Sequence, residues 1–198
     1  RCGCRPANQE SWCSKRENAI SAFFFVQNLV YFSLRGIFRN EVTNLTAYRT
    51  LCGGVESLCL PDDRFKTVRL SAVFLLPLRE ETAAEYALLP FLLRRSCAAY
   101  PDLTALNRRL NELYGARIFA NVTRVGEAQA LILTAVCLKD RYALSGEALT
   151  TACAQLLRDM LFAPALEDGL FRPADVEQER RCLVELIQAE INDKRRYA

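Results

Sequence analysis

A chain of 198 residues, 51% apolar and 25% charged, is long enough to bury a real core and has the balance of an ordinary globular protein. Its formal charge of +3 comes from residues 1–46, and the remainder carries equal numbers of acidic and basic side chains, which argues against nucleic-acid binding. With no histidine anywhere, the chain can build no His-containing triad, no Cys–His dyad and no His-ligated metal.

The chain begins with Arg1 and its only methionine is Met160, so it reads as a fragment or processed product. Residues 1–46 read as an atypical appendage, non-native or disordered. The apolar run at 19–34 is shorter than the ~20 residues that span a bilayer. Basic residues precede it, but no small-residue cleavage site is clear. Sequence translated from upstream of the true start, or a poorly ordered appendage, is the favoured reading, and an amphipathic surface segment is the other. Membrane attachment is not favoured. Asn44-Leu45-Thr46 fits a glycosylation acceptor and reads as chance without a secretory context.

Nine cysteines are present, an odd number, and those past residue 50 sit singly in apolar runs like small hydrophobes. A disulfide framework would be even in number and sit in a short secreted chain. A reducing, cytoplasmic setting follows. Cys2, Cys4 and Cys13 cluster, but at no common zinc spacing.

From residue 47 the patterns become regular. Gly53-Gly54 is a turn without a phosphate-loop pattern. Residues 55–60 alternate and stop at Pro61-Asp62-Asp63, and 65–76 read as a strand ended by Pro77. A helix follows over 82–94. Thr82 and Glu85 form a capping-box pattern, and Ala84, Leu88, Phe91 and Leu92 are its buried face, widened by Leu89 and Leu93. Pro90 is out of place, because inside a helix it removes a hydrogen bond and kinks or ends the run.

Pro101 and Asp102 open a second helix that buries Leu103, Leu106, Leu110 and Leu113, with Gly115 past its end. Strands at 116–125 and 128–138, joined at Gly126-Glu127, form an antiparallel hairpin. Ser145 caps a third helix, 146–162, which buries Leu149, Cys153, Leu156, Met160 and Leu161. Pro173 starts a fourth, running to about Asp193, with Val176, Leu183, Ile187 and Ile191 on one face. Two strands, two helices, two strands and two helices make an α+β fold. Its sheet is antiparallel or mixed, with helices on one face.

Few residues suggest chemistry. Glu177, Glu179, Glu185 and Glu190 crowd the last helix, where acids can serve a metal or acid–base site. A solvated face balanced by Arg180, Arg181 and Lys194 accounts for them more simply. Arg94 and Arg95 suit either an anion clamp or the negative end of a helix dipole. Tyr86, Tyr100 and Tyr114 read as packing or boundary residues rather than reagents.

Three stretches carry a resemblance: DRFKTVRLSAVFLLPLREET, ALLPFLLRRSCAAYPDLTALNRRLNELYGARI and FAPALEDGLFRPADVEQERRCLVELIQAEINDKRRYA. With the hairpin between them, residues 48–198 resemble the N-terminal part of an insulinase/pitrilysin-type protein, the inverted-motif zinc peptidases. The likeness is to a catalytically silent bacterial branch associated with modification of elongation factor P. It covers about three quarters of the chain, but less than half of a two-domain member of the family, which implies truncation after Ala198.

Active members carry His-x-x-Glu-His on the first helix and a later Glu as third zinc ligand. The resemblance places the first motif at Pro90 to Arg94, with Pro90 and Arg94 in the histidine positions and Leu93 in that of the general base. The third ligand falls near Leu186, or at Glu185 if the alignment slips by one. Pro90 and Leu93 offer zinc no donor, and the charged Arg94 repels it. The resemblance therefore implies no metal, no cofactor and no catalytic residue. It implies a structural or peptide-handling subunit paired with a homologous subunit that keeps the zinc motif. The alternative is an enzyme of different chemistry, built from the acidic last helix with Arg94 and Arg95.

Overall fold

A computed structural model describes residues 21–27, 47–50 and 56–192, with side chains from 56 to 189. The turn at Gly53-Gly54, the acceptor Asn44-Leu45-Thr46 and the cluster Cys2, Cys4 and Cys13 lie outside those described, and so does the side chain of Ile191. The fold is α+β, as the sequence suggests. Six strands, β1 (Ser21–Gln27), β2 (Ala47–Thr50), β3 (Glu56–Leu60), β4 (Thr67–Pro77), β5 (Arg117–Val125) and β6 (Ala128–Leu138), form one sheet in the order β2-β3-β1-β4-β6-β5. The sheet is mixed: β1 runs parallel to β3, and every other neighbouring pair is antiparallel.

Among the described residues four α-helices accompany the sheet: α1 (Glu80–Leu93), α2 (Leu103–Glu112), α3 (Leu149–Phe162) and α4 (Pro173–Asn192). Among the described residues, no helix is long and apolar enough to cross a membrane. The run at 19–34 departs from the expected appendage, because its residues 21–27 form β1 between β3 and β4. A stretch of Phe23, Phe24, Phe25 and Val26 has the bulky composition that strands favour.

The core lies between the sheet and its helices. Leu70 and Ala72 of β4 and Leu133, Ala135 and Cys137 of β6 pack with Leu106 and Leu110 of α2 and with Leu149, Cys153, Leu156, Leu157 and Met160 of α3. Alternation along β6 puts Gln129 on that same face, where its amide donates to the Ala83 carbonyl of α1 (3.0 Å). Ser71 and Thr134 join hydroxyls across β4 and β6 on the opposite face, at 2.8 Å. They tie the register of the longest strand pair, which runs from Thr67↔Leu138 to Pro77↔Ala128.

Several helix ends differ from expectation. The Thr82–Glu85 capping box does not form. The first helix starts two residues earlier, behind an extended Arg79, and the buried Thr82 hydroxyl has no hydrogen-bond partner. Ala84 is exposed rather than buried. Asp102 caps α2 through the Ala105 N–H (2.7 Å). Leu103, however, is 48% exposed. At the other end of α2, Tyr114 and Gly115 both take positive φ, so the left-handed stop covers two residues.

Ser145 does not cap the third helix. Gly146, at φ 76°, is not helical, and α3 begins three residues later than expected. Asp140 supplies its cap by accepting from the Thr150 N–H (2.7 Å) and hydroxyl (2.9 Å). Leu157 joins the buried set, and Leu161 packs beside it. Cys97, Cys137 and Cys153 are buried as expected, whereas Cys182 is exposed.

The turn from β3 to β4 is held by Asp62, whose carboxylate accepts from the Arg64 backbone and guanidinium. Those hydrogen bonds pull the Asp62 carboxyl down to about 2. A depressed carboxyl favours the fold above its unfolded value near 3.8, and the benefit disappears as pH falls through about 2. Carboxyl-detected NMR should place its titration midpoint near 2 and return it to the ordinary range in Arg64→Ala. An unchanged midpoint in that variant would disprove the assignment.

Candidate functional site: the junction of the first and last helices

Local sequence brings two arginines to the last helix. Pro90, buried within α1, cannot donate to the Tyr86 carbonyl, and the helix ends one turn later at Leu93. The Arg94 N–H closes on the Pro90 carbonyl and the Arg95 N–H on that of Leu92, both at 3.1 Å. The chain then turns through buried Ser96 and Cys97, anchored by Cys97 to the Tyr100 carbonyl at 3.0 Å. This turn leaves Arg94 and Arg95 beside α4.

The last helix meets them with its N-terminal half. Pro173 suits the first helical position, where a missing N–H costs nothing. Arg172, just ahead, donates to the Pro101 carbonyl and pairs with Asp175 at 3.1 Å, fixing where α4 enters. Arg95 then reaches two carboxylates, Glu179 at 2.7 Å and Asp175 at 3.1 Å. Glu179 is only 5% exposed. Arg94 lies 4.0 Å from the other Glu179 oxygen and over the Phe91 ring, and its side chain is half exposed. The hydrogen bond to Glu179 raises the Arg95 pKa against the opposing effect of burial.

Charge-assisted bonds of this kind bridge two helices, and both carboxylates are engaged by guanidinium groups. The residues present do not fit a zinc ion. Pro90 and Leu93 bring no donor atom, and Arg94 adds positive charge facing Glu179. Among the described residues, no group of three or more His, Cys, Asp or Glu is placed to hold a metal. Glu185 and Leu186 are both exposed, and the contact from α1 falls instead on Asp175 and Glu179. Leu186 lies two turns beyond Glu179, about 10 Å along the axis.

The acidic helix is therefore not uniformly a solvated face. Glu177 pairs with Arg180 at the surface (2.8 Å), as expected, whereas Glu179 is buried. The sequence held a signal for this. Glu179 lies three residues after Val176 and four before Leu183, inside the apolar stripe. Ile187, expected on the buried face, is 51% exposed.

Over 146 residues the chain is 34% identical to a Bacillus subtilis (strain 168) protein named "Probable inactive metalloprotease YmfF". This chain is similar to a protein named as a probable inactive metalloprotease. The match takes in 74% of the chain and 34% of that relative. A conserved protein from Enterococcus faecalis V583, known from its crystal structure, superimposes with a TM-score of 0.70 at 28% identity, over 78% of this chain and 36% of its own. The chain thus spans about a third of the length of these relatives. No family model matches it.

Proposed function

We propose that this chain is a non-catalytic, metallopeptidase-like protein of insulinase/pitrilysin type, from the silent branch associated with elongation factor P modification. It serves as a structural or peptide-handling subunit beside a homologue that keeps the zinc motif, in a reducing, cytoplasmic setting. The observation that carries this reading is the end of α1. Where an active relative would present His-x-x-Glu-His, the chain has Pro90, Leu93 and Arg94, and a guanidinium–carboxylate cluster joins α1 to α4. The similarity to a protein named as a probable inactive metalloprotease supports it.

Peptide handling draws support from the sheet. Among the described residues β5 pairs only with β6, so its outer row of N–H and C=O groups can accept an extended strand. Two measurements test the proposal. Co-purification with a neighbouring-gene homologue carrying His-x-x-Glu-His should give co-elution and a change in that partner's peptidase activity. If neither occurs, the subunit role fails. The isolated chain should hold no stoichiometric zinc and cleave peptides only at background rate. Zinc at one equivalent with chelator-sensitive cleavage would overturn the non-catalytic reading.

A further inference from the structure

Strand β5 ends the sheet on one side, and its two faces differ. Ile118 and Ala120 pack against the core beneath the helices. Arg117, Phe119 and Asn121 alternate with them and are exposed. Their register sets them opposite Val136, Thr134 and Ile132 of β6, on the face that carries the Ser71–Thr134 pair. Phe119 is 47% exposed although it stands within a strand.

The charge on this side of the sheet has one sign. Strands β4, β5 and β6 carry Arg69, Arg117 and Arg124 and no acidic residue. Arg124 is engaged by the Gly126 carbonyl and by Glu127. Arg117 and Arg69 have no hydrogen-bond or ion-pair partner among the described residues. Both stand opposite Val136, one on each side of it, so they share the open face about 10 Å apart. An acidic side chain beside β5 would meet two unpaired guanidinium groups there.

We propose that the free edge of β5 selects extended peptides with an acidic side chain, and that Arg117 and Phe119 are the specificity-determining residues. The inference rests on the peptide-handling role proposed for the chain. Antiparallel addition gives the more stable pairing per residue. Directly opposite residues then share a face, and the peptide runs against β5. The peptide residue facing Phe119 therefore comes two positions before the one facing Arg117. The selected pattern is an apolar residue, any residue, then Asp or Glu. Its apolar side chain covers the Phe119 ring, and its carboxylate accepts from the Arg117 guanidinium. Main-chain hydrogen bonds along the edge add affinity that does not depend on the peptide's side chains.

Nitrogen-15 NMR titration of the whole chain with three blocked heptapeptides tests this. The first is Thr-Thr-Val-Thr-Glu-Thr-Thr, and the others have Gln or Lys in place of Glu. The Glu peptide should shift the β5 amides and reach half-saturation at about fivefold lower concentration than the Gln peptide, with the Lys peptide weaker still. Methylating alternate backbone nitrogens of the Glu peptide should abolish the shifts. Arg117→Glu should reverse the order of the Glu and Lys peptides and leave the amide spectrum away from β5 unchanged, which shows that the variant is folded. Equal half-saturation for all three peptides, or an unchanged order in Arg117→Glu, overturns the selection and leaves peptide handling standing. Shifts that survive methylation, or that lie away from β5, place the contact elsewhere and overturn the proposal. If no peptide shifts any amide, the proposal and peptide handling fall together.

Discussion

Arg95→Ala is expected to lower the unfolding free energy by about 3 kcal/mol, because it leaves the Glu179 carboxylate buried without its close partner. Arg94 cannot compensate from 4.0 Å with a side chain that is half exposed. For the same reason Arg94→Ala should cost below about 1 kcal/mol. Arg95→Lys should recover only part of the loss, since an ammonium lacks the planar fork that reaches both Glu179 and Asp175. The double change Arg95→Met with Glu179→Leu removes charge and burial penalty together and should recover most of it. Urea unfolding of these variants measures each difference. A loss under about 1 kcal/mol in Arg95→Ala would mean that water reaches Glu179 and that the cluster does not hold α1 to α4.

Leu106→Ala should be comparably severe, at about 3 kcal/mol, while Leu103→Ala one turn earlier should cost below about 1 kcal/mol. Leu106 is 1% exposed and packs with the β4, β6 and α3 residues of the core, whereas Leu103 is 48% exposed. The rest of α2 is mostly polar, with Asn107, Arg108, Arg109, Asn111 and Glu112, so its attachment depends on Leu106, Leu110 and the following Leu113. Equal losses at positions 103 and 106, measured in the same denaturant, would contradict this arrangement.

Much of the fold was legible because its elements follow their periods closely. The β5–β6 hairpin has a two-residue turn at Gly126-Glu127 and alternating strands, and it forms as the pattern suggests. Pro173 and Asp102 mark helix starts for local reasons that tertiary contacts do not alter. Helix caps were harder to foresee. Asp140 caps α3 from ten residues away through a 3₁₀ turn, a partnership that no local motif encodes. Strand β1 was missed for another reason: strand order is a long-range property, and an apolar run is equally compatible with a surface or membrane segment. At the candidate site, the sequence marked Pro90, Arg94 and Arg95 as the unusual residues at the end of α1. The contact made there, the pairing of Arg95 with Glu179 across 84 positions, appears only once the helices pack.

The pairing of β4 with β6 also constrains how the molecule folds. Its eleven residue pairs join segments separated by all of α1, α2 and β5, so loop-closure entropy must be met before the centre of the sheet can form. The β5–β6 hairpin, by contrast, can form early from local contacts. During synthesis, β4 leaves the ribosome well before β6 and waits with an unpaired edge. A slow, single late step that completes β4–β6, preceded by a fast hairpin, is the kinetic signature this topology sets.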